Sequence, residues 1–347
     1  MLSKKQMNEL RGHLERTQNP IFYYDNDADG LCSFLLLRRF LGFGQGVAVR
    51  SYPDLNGDYA LKAEKIKADC IFVLDKPTLS NEFVERISKI GIPLIWIDHH
   101  DVPQNFQGDN LFIYNPSRDK KEKMPTSGIV FEVLKKKKDA WIALAGCISD
   151  CYLPTFIVEV MKEKGEMFNR TKKSAFDILY GTEFGKVVRA MNYGLKDSVS
   201  NVEKMQNFLI NCKNPEEVLA DGEINIRLRE KTQELLMKQN KLVEEAEKNK
   251  EGKLLFFTYS GEVSMSSDLA NELAYKNPKV YVCVCYKKGA LTNISIRGKG
   301  VKGMLSSVLN KLENSSGGGH EMAVGARIQT KDLELFRKMF LEEVDRV

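Results

Sequence analysis

The amino-acid sequence predicts an α/β protein with two unequal α/β domains joined by a helical linker. In the first half of the chain, short β-branched or aromatic runs alternate with helical patterns. This alternation is typical of a mostly parallel sheet covered by helices on both faces. A long, highly charged helical stretch follows over residues 227–252, and strand patterns then return in a smaller second set. We therefore expect three parts, over residues 1–190, 191–251 and 252–347.

The first domain is predicted to contain five strands. They are "IFYYD" (21–25), "VAVRSY" (47–52), "CIFVLD" (70–75), "PLIWID" (93–98) and "LFIYN" (111–115). Helical patterns lie between or after them, around 30–42, 56–68, 80–90 and 125–137. The last of these follows "MPTSG", where the hydroxyl of Thr126 or Ser127 is predicted to cap the helix. From Trp141 to Lys250 the pattern is helical throughout.

The second domain is predicted to contain strands at "KLLFFTYS", "KVYVCVCYKKG" and "ALTNISIRGKG". A helix near 303–313 and a final amphipathic helix accompany them. Between these two helices the glycine run Gly317–Gly319 predicts a flexible loop that ends at His320.

Composition limits the class of protein. The chain of 347 residues is 43% hydrophobic, which is enough for sizeable cores, and no apolar run is long enough to predict a membrane span. The N-terminus shows an amphipathic helical pattern without the apolar core of a signal peptide. Seven irregularly spaced cysteines argue against a disulfide framework and favour a reducing cytoplasm. A net charge of +5 is compatible with a polyanionic substrate but does not require one.

Acidic and histidine side chains follow three of the predicted strands, and a further acid closes an apolar helix. They are Asp25, Asp27 and Asp29 in "DNDADG", Asp75 in "VLD", Asp98, His99, His100 and Asp101 in "IDHHD", and Asp150 in "GCISD". A single aspartate at a strand end is commonly a helix cap or a turn residue, but several strands ending in this way fit that interpretation poorly. Because the carboxyl ends of parallel strands meet at one edge of a sheet, we expect these side chains to lie close together.

The positions of the four histidines support this expectation. His13, on the N-terminal helix, is predicted to be a surface residue, whereas adjacent His99 and His100 at a strand end are hard to explain as core packing. Mixed carboxylate and imidazole ligands suit Mn²⁺, Mg²⁺ or Fe²⁺, and the absence of cysteine argues against structural zinc. The carboxylates are numerous enough for two ions roughly 3.5–4 Å apart, an arrangement that favours phosphoester hydrolysis.

These motifs resemble the DHH phosphoesterases with a DHH-associated C-terminal domain. The similarity is carried by "DNDADG", "VLD", "IDHHD" and "GCISD", followed far downstream by "GGGH". Within the family, the Asp-x-Asp-x-Asp-Gly string resembles RecJ-type and archaeal RecJ-like nucleases. In nanoRNases and family II pyrophosphatases a histidine stands at the position that Tyr23 occupies here. We expect Tyr23 to pack in a buried strand instead.

The resemblance implies a role for each matching residue. It makes metal ligands of Asp27, Asp29, Asp75, His99 and Asp150, with Asp75 bridging two ions. Asp25 is either a further ligand, in place of the histidine missing at Tyr23, or an acid outside the ligand set. Asp98 is expected to orient an imidazole or a water, and His100 to face the scissile phosphate. On the second domain the resemblance implies substrate binding by Arg297, His320, Gly318 and Gly319, with the active site in the cleft between the two domains.

Three hypotheses about function follow. The first is a metal-dependent phosphodiesterase that hydrolyses single-stranded DNA or RNA as an exonuclease, using two Mn²⁺ ions, with Mg²⁺ as the alternative metal. The second keeps this chemistry but changes the substrate to short oligonucleotides, a nucleoside bisphosphate or a cyclic dinucleotide. The third is a non-catalytic scaffold with a replication or repair protein as its partner. The oligomeric state is left open.

Overall fold

Two units make up the chain, Met1–Thr232 and Gln233–Val347. The computed structural model describes residues 1–50, 55–102, 105–116, 124–168 and 174–346. The division between the units falls inside the linker predicted over 191–251, within a long helix. The prediction of three separate parts stays a prediction.

A parallel five-stranded sheet forms the centre of the first unit, with strand order β2-β1-β3-β4-β5. The strands are β1 (Pro20–Asp25), β2 (Gln45–Val49), β3 (Cys70–Leu74), β4 (Leu94–Ile97) and β5 (Leu111–Tyr114). All five predicted strands are therefore present. The last residues of the predicted second strand, Ser51 and Tyr52, lie outside the described residues.

Side chains of each strand alternate between two apolar cores. In β1, Phe22 and Tyr24 join a cluster with helices on one face, while Ile21 and Tyr23 join a second cluster on the other. Tyr23 is fully buried, as expected, and its hydroxyl donates a hydrogen bond to the carbonyl oxygen of Tyr59 at 2.5 Å. The sheet is thus covered on both faces, which confirms the predicted parallel α/β layering.

Helices surround this sheet and continue to the end of the unit. They are α1 (Lys4–Arg16), α2 (Ala28–Leu41), α3 (Gly57–Lys65), α4 (Asn81–Ile90), α5 (Thr126–Leu134), α6 (Ala140–Ser149), α7 (Ile157–Glu163), α8 (Ala175–Gly181), α9 (Glu183–Gly194), α10 (Val199–Asn211) and α11 (Ile226–Glu247), the last of which runs into the second unit. The helices α3 and α4 cover one face of the sheet, and α2, α5 and α6 cover the other. Every residue of α6 except its last is buried, so this helix lies inside the core.

The second unit is built on a six-stranded mixed sheet with strand order β10-β11-β9-β8-β7-β6. Its strands are β6 (Lys250–Glu251), β7 (Leu254–Ser260), β8 (Tyr281–Lys288), β9 (Leu291–Arg297), β10 (Ser316–His320) and β11 (Ala323–Gln329), and its helices are α12 (Ser266–Lys276), α13 (Val301–Leu309) and α14 (Leu333–Asp345). Only β7 and β8 pair in parallel. The helices α13 and α14 pack over one apolar core on this sheet.

The glycine run is not the loop that the sequence predicted. Ser316–His320 is the edge strand β10, paired antiparallel with β11. Glycine has a low intrinsic preference for strands, so neither strand has a strong sequence signal. Backbone hydrogen bonds to a neighbouring strand, which depend on the tertiary fold, stabilise both.

His13 was also predicted wrongly, because it is 7% exposed instead of lying on the surface. Its ring lies 4.2 Å from the ring of Phe112, centroid to centroid. Burial, with the nearby charge of Arg16, lowers the pKa of this histidine. His13 is therefore an aromatic core residue of α1.

All seven cysteines are free thiols. Among the described residues, none of the helices is both long enough and apolar enough to cross a bilayer.

A buried ion pair joins three segments of the first unit. Arg39 of α2 contacts Asp139 at 2.7 Å, and the same guanidinium donates to the carbonyl oxygens of Ile210 and Cys212 at the end of α10. Asp139 is 1% exposed. Removing one partner of such a pair leaves the other as an uncompensated buried charge.

We expect Asp139→Ala to lower the free energy of unfolding by about 3–5 kcal/mol, measured by urea denaturation. The control is Glu64→Ala, which removes the exposed Arg86–Glu64 pair and is expected to cost less than about 1 kcal/mol. Equal losses in the two variants would contradict a structural role for the Arg39–Asp139 pair.

Candidate metal centre

The first acidic motif forms the turn from β1 into α2. Asp25 ends the strand, and Asp27 is the N-cap of the helix, where its side chain accepts a hydrogen bond from the backbone N–H of Gly30 at 2.9 Å. Asp29 lies in the first helical turn and is fully buried. A Cβ atom at position 30 would lie 2.5 Å from the carbonyl oxygen of Asp25, so only glycine fits this close approach of helix and strand.

Acids of the motifs "VLD" and "GCISD" meet at His99 of the motif "IDHHD". Its Nε2 atom lies 3.3 Å from Oδ1 of Asp75 and 3.3 Å from Oδ2 of Asp150. Asp75 directly follows β3 and has a left-handed backbone with φ of 61°, a conformation that costs an ordinary residue roughly 1–2 kcal/mol. Asp150 is the C-cap of α6, which the sequence predicted as the end of that helix.

Among the described residues, two groups of side chains have the spacing of metal ligands, and they share His99. One is Asp75, His99 and His100, and the other is Asp29, His99 and Asp150. Within each group the donor atoms lie within 4.8 Å of one another. Oxygen and imidazole donors at this spacing suit Mn²⁺ or Mg²⁺.

A further oxygen atom that could bind a metal ion lies in the turn from β1 into α2. The side-chain oxygen of Asn26 is buried and has no hydrogen-bond partner among the described residues. Such an orphaned buried acceptor is costly without a cation or a water. The residues present therefore fit a divalent cation centre.

The carboxylates are held close enough to disturb one another. Burial, followed by repulsion from Asp25, Asp150 and Asp29, raises the pKa of Asp27 to about 8. Burial and repulsion from Asp150 raise the pKa of Asp29 to about 6, against the opposing effect of His99. The pKa of Asp75 is also raised well above its ordinary value, first by burial and then by Asp29 and Asp27. These acids need either protons or cations to lie together.

For the two histidines, burial and the neighbouring acids shift the pKa in opposite directions. Burial by itself lowers the pKa of His99, but hydrogen bonds to Asp150 and Asp75 raise it well above the ordinary value. For His100, burial again lowers the pKa, and the charge and hydrogen bond of Asp98 more than offset it. In the chain without a metal, the raised pKa values therefore favour protonation of both imidazoles.

Asp98 contacts the ring of His100, and its expected role in orienting an imidazole or a water stays a prediction. The distance between His100 Nδ1 and Asp98 Oδ1 is 2.7 Å. Asn115, which the sequence did not single out, donates to the second oxygen of Asp98 at 3.1 Å and to the carbonyl oxygen of His100 at 2.9 Å. With Nδ1 directed to Asp98, Nε2 is the ring atom of His100 suited to contacting a substrate.

The predicted cap of α5 is wrong, and its residues serve the acids instead. Pro125 is the N-cap, without a side-chain hydrogen bond. The backbone N–H groups of Thr126 and Ser127 donate to Asp29 at 2.7 and 3.0 Å, and the hydroxyl of Ser127 also donates to it. The hydroxyl of Thr126 donates to Asp75 at 3.1 Å. The positive end of the helix therefore holds two of the carboxylates in place.

Sequence reasoning missed this role because the hydroxyl residues of "MPTSG" have the ordinary pattern of a helix start. A sequence signal for the close packing around Asp29 was the glycine in "AGCISD". A Cβ atom at Gly146 would lie 2.8 Å from Oδ1 of Asp29, so α6 can pass the acid only through a glycine.

Asp25 has a different environment from the other acids. Like Asp27 it belongs to neither ligand group, but its Oδ1 atom lies 2.9 Å from the ammonium of Lys76.

The substrate-binding candidates lie on the sheet of the second unit. Arg297 ends β9 and His320 ends β10, and both pair in register with Ala323 of β11, one on each side. Strand spacing places the two backbones roughly 10 Å apart at one end of the sheet. The guanidinium of Arg297 donates to Asn271 at 2.6 Å and to Ser267 at 2.9 Å.

Gly318 and Gly319 lie in β10, where Gly319 has φ of 138°. A Cβ atom at position 319 would lie 2.5 Å from the carbonyl oxygen of Ala323, whereas one at position 318 would meet open space. The two glycines thus differ, since only Gly319 is required by the backbone of the hairpin.

Comparison with known proteins gives a family match for part of the first unit. Residues 21–153 match the family described as "DHH family, N-terminal domain". No curated protein matches the chain.

Solved structures share the fold at low sequence identity. RecJ from Thermus thermophilus in complex with Mn²⁺ is similar with a TM-score of 0.68 and 15% identity, over 99% of this chain and 54% of that one. The DHH domain of a member of a ribosomal protein family is similar with a TM-score of 0.69 and 15% identity, over 98% and 90%. The pGpG-specific phosphodiesterase PggH from Vibrio cholerae gives 0.50 and 12%, over 95% and 99%.

The present chain thus spans about half the length of the Thermus RecJ. Identities this low show the fold alone. The chain has the fold of RecJ and other DHH-domain proteins, and residues 21–153 match the DHH family N-terminal domain.

Proposed function

We propose that the chain is a metal-dependent phosphodiesterase that hydrolyses single-stranded nucleic acid from an end, as a RecJ-like exonuclease. The observation that carries this proposal is the sharing of His99 by two groups of ligand residues. An imidazole nitrogen has one lone pair, so His99 would bind one ion of the pair, and the carboxylate of Asp75, with two oxygens, is the side chain that would bridge the ions.

Asp27, Asp29, Asp75, His99 and Asp150 would hold two divalent ions, with Mn²⁺ as the first candidate and Mg²⁺ as the second. When bound, such a pair lowers the pKa of a water between the ions and stabilises charge on a phosphoryl oxygen. The identity of the ion and the full ligand set are part of the proposal.

The protein itself orients the reacting groups. Asn115 holds Asp98, and Asp98 holds the imidazole of His100 by its Nδ1 atom. Burial lowers the pKa of His100, but the charge and hydrogen bond of Asp98 raise it overall, which favours the protonated ring; in that form Nε2 can donate a hydrogen bond to a phosphoryl oxygen. Thr126 and Ser127 hold Asp75 and Asp29 in place by hydrogen bonds. These acids therefore need no reorientation during turnover.

The second unit would supply contacts to the substrate backbone. Arg297 offers a guanidinium suited to phosphate, and its hydrogen bonds to Asn271 and Ser267 fix the plane of that group. His320 and the exposed residues Gly318 and Gly319 are the other candidates for an anion contact.

A second candidate function is hydrolysis of short oligonucleotides, of a few residues at most. It is suggested by the activity named for a protein of the same fold, the pGpG-specific phosphodiesterase PggH. A partner protein from replication or repair would be needed only for the first candidate, to hold a long strand.

One digestion experiment separates the two. We expect the purified chain with Mn²⁺ to shorten single-stranded DNA or RNA that is labelled at the 5′ or the 3′ end. The substrates form a length series from a dinucleotide to a strand several tens of nucleotides long. Preference for long strands supports the exonuclease, and preference for the shortest oligonucleotides supports the second candidate.

Asp75→Asn is expected to lower the rate in this assay by at least about a hundredfold, because the amide replaces the carboxylate proposed to bridge the ions. The matched control is Asp109→Asn, at an exposed turn, with an unchanged rate. An inert wild-type chain that also binds no metal would instead favour a scaffold, and an active Asp75→Asn variant would rule out the two-metal mechanism.

Metal binding is expected to depend on pH in a defined direction. The raised pKa values of Asp27 and Asp29 mean that the folded, metal-free chain binds more protons than the unfolded chain between about pH 4 and 8. Its stability therefore falls as pH rises through that window. Ligands must lose these protons to bind a cation, so Mn²⁺ should raise the melting temperature more at about pH 8 than at about pH 6. A gain that is equal at both values would contradict the buried acids as ligands.

Ser127→Ala is expected to weaken Mn²⁺ binding about 10–100-fold, measured by isothermal titration calorimetry, since Asp29 loses a hydroxyl that orients it. The matched control is Ser174→Ala, which removes the N-cap hydroxyl of α8. It should cost about 1 kcal/mol of stability and leave the affinity for Mn²⁺ unchanged. An affinity lowered equally in both variants would contradict the orienting role of Ser127.

A further inference from the structure

Lys76 is a buried cation beside the acidic cluster, and the motif analysis gave it no role. It directly follows Asp75 and is 3% exposed. Its ammonium lies 2.9 Å from Oδ1 of Asp25, whose side chain is 32% exposed. A buried ammonium is stable only when it is paired, and Asp25 is its ion-pair partner among the described residues.

The backbone around Lys76 fixes the direction of this contact. The strands β1 and β3 are neighbours, and Tyr24 pairs in register with Leu74, so Asp25 and Asp75 lie at adjacent strand ends. Asp75 then turns the chain through its left-handed conformation. The carbonyl oxygen of Lys76 accepts a hydrogen bond from the indole of buried Trp96 at 2.8 Å. Lys76 is therefore anchored where its side chain reaches back to β1.

This contact makes the carboxylate of Asp25 a poorer ligand for a divalent ion. One of its oxygens is occupied by an ammonium, and a divalent ion bound to the same carboxylate would be repelled by that charge at short range. The two groups with ligand spacing omit both Asp25 and Asp27, and the contact with Lys76 is what distinguishes Asp25 from Asp27. The remaining acid of the turn that lies outside both groups is Asp27, which accepts a hydrogen bond from Gly30.

We propose that Lys76 is a positioning residue that holds Asp25 outside the metal ligand set, so that the two ions bind with unequal affinities. An ion bound next to Asp25 would be the weaker of the two, because the contact with Lys76 keeps the Asp25 carboxylate from joining its ligands. The inference rests on the proposed two-metal centre.

The test is calorimetric titration of the full-length chain with manganese chloride, in the wild type and four variants. We expect two binding steps in the wild type, and both should remain in Asp25→Asn. In Lys76→Met the released Asp25 carboxylate should tighten the weaker step on the order of tenfold. Lys76→Arg keeps the charge and should behave as the wild type.

The double variant Lys76→Met with Asp25→Asn should return the weaker step to its wild-type affinity, since the gain requires the carboxylate. A merely structural role for Lys76 would weaken both steps together in Lys76→Met and would not be reversed by Asp25→Asn. Circular dichroism of each variant checks that it is folded, and Lys76→Arg and Asp25→Asn keep the test decisive if Lys76→Met unfolds.

The outcomes also separate this inference from the proposed function. Loss of one ion in Asp25→Asn, or an unchanged weaker step in folded Lys76→Met, would overturn the role of Lys76 and leave the two-metal centre standing. A wild-type chain that binds no manganese would overturn the centre itself, together with this inference.

Discussion

The structure of the first unit depends on the repulsion among carboxylates gathered at one edge of its parallel sheet. Parallel strands bring their carboxyl ends together, and here those ends carry Asp25 and Asp75 on adjacent strands. Asp27 and Asp29 follow in the same turn, and both Asp29 and Asp75 are buried from solvent within the chain. Such a cluster is unfavourable unless positive charge or hydrogen-bond donors surround it.

The fold supplies this compensation in three chemically different ways. The start of α5 directs backbone N–H groups and hydroxyls at Asp29 and Asp75. The imidazole of His99 lies between Asp75 and Asp150. The ammonium of Lys76 pairs with Asp25. The first two involve acids that belong to the groups with ligand spacing, whereas the third pairs an acid outside those groups with an ammonium.

Close packing around the cluster explains the glycines in its motifs. Gly30 lets α2 approach the backbone of Asp25, and Gly146 lets α6 approach the side chain of Asp29. These helices belong to the apolar core on one face of the sheet. The acids are therefore placed by core packing, which is rigid, and not by a surface loop. Function in a shared fold depends on such local arrangements, since RecJ and PggH have the same fold as this chain but differ in their named activities.

The sequence by itself determined the layered fold of the first unit and the acids and histidines that meet at its edge. It did so because short, continuous apolar runs and the polar residues that end them are local signals, and parallel pairing follows from the helices between strands. Only the tertiary structure decided what surrounds those acids. The roles of Thr126, Ser127 and Asn115 depend on contacts between residues far apart in the chain. The same is true of β10, a glycine strand that exists through pairing with β11. In "YYDNDADG", the spacing of the aspartates indicated a cation site, but the contact between Asp25 and Lys76, 51 residues apart, required the neighbouring strand. Long-range contacts of this kind have no periodicity in the sequence, so they become visible only when the chain is folded.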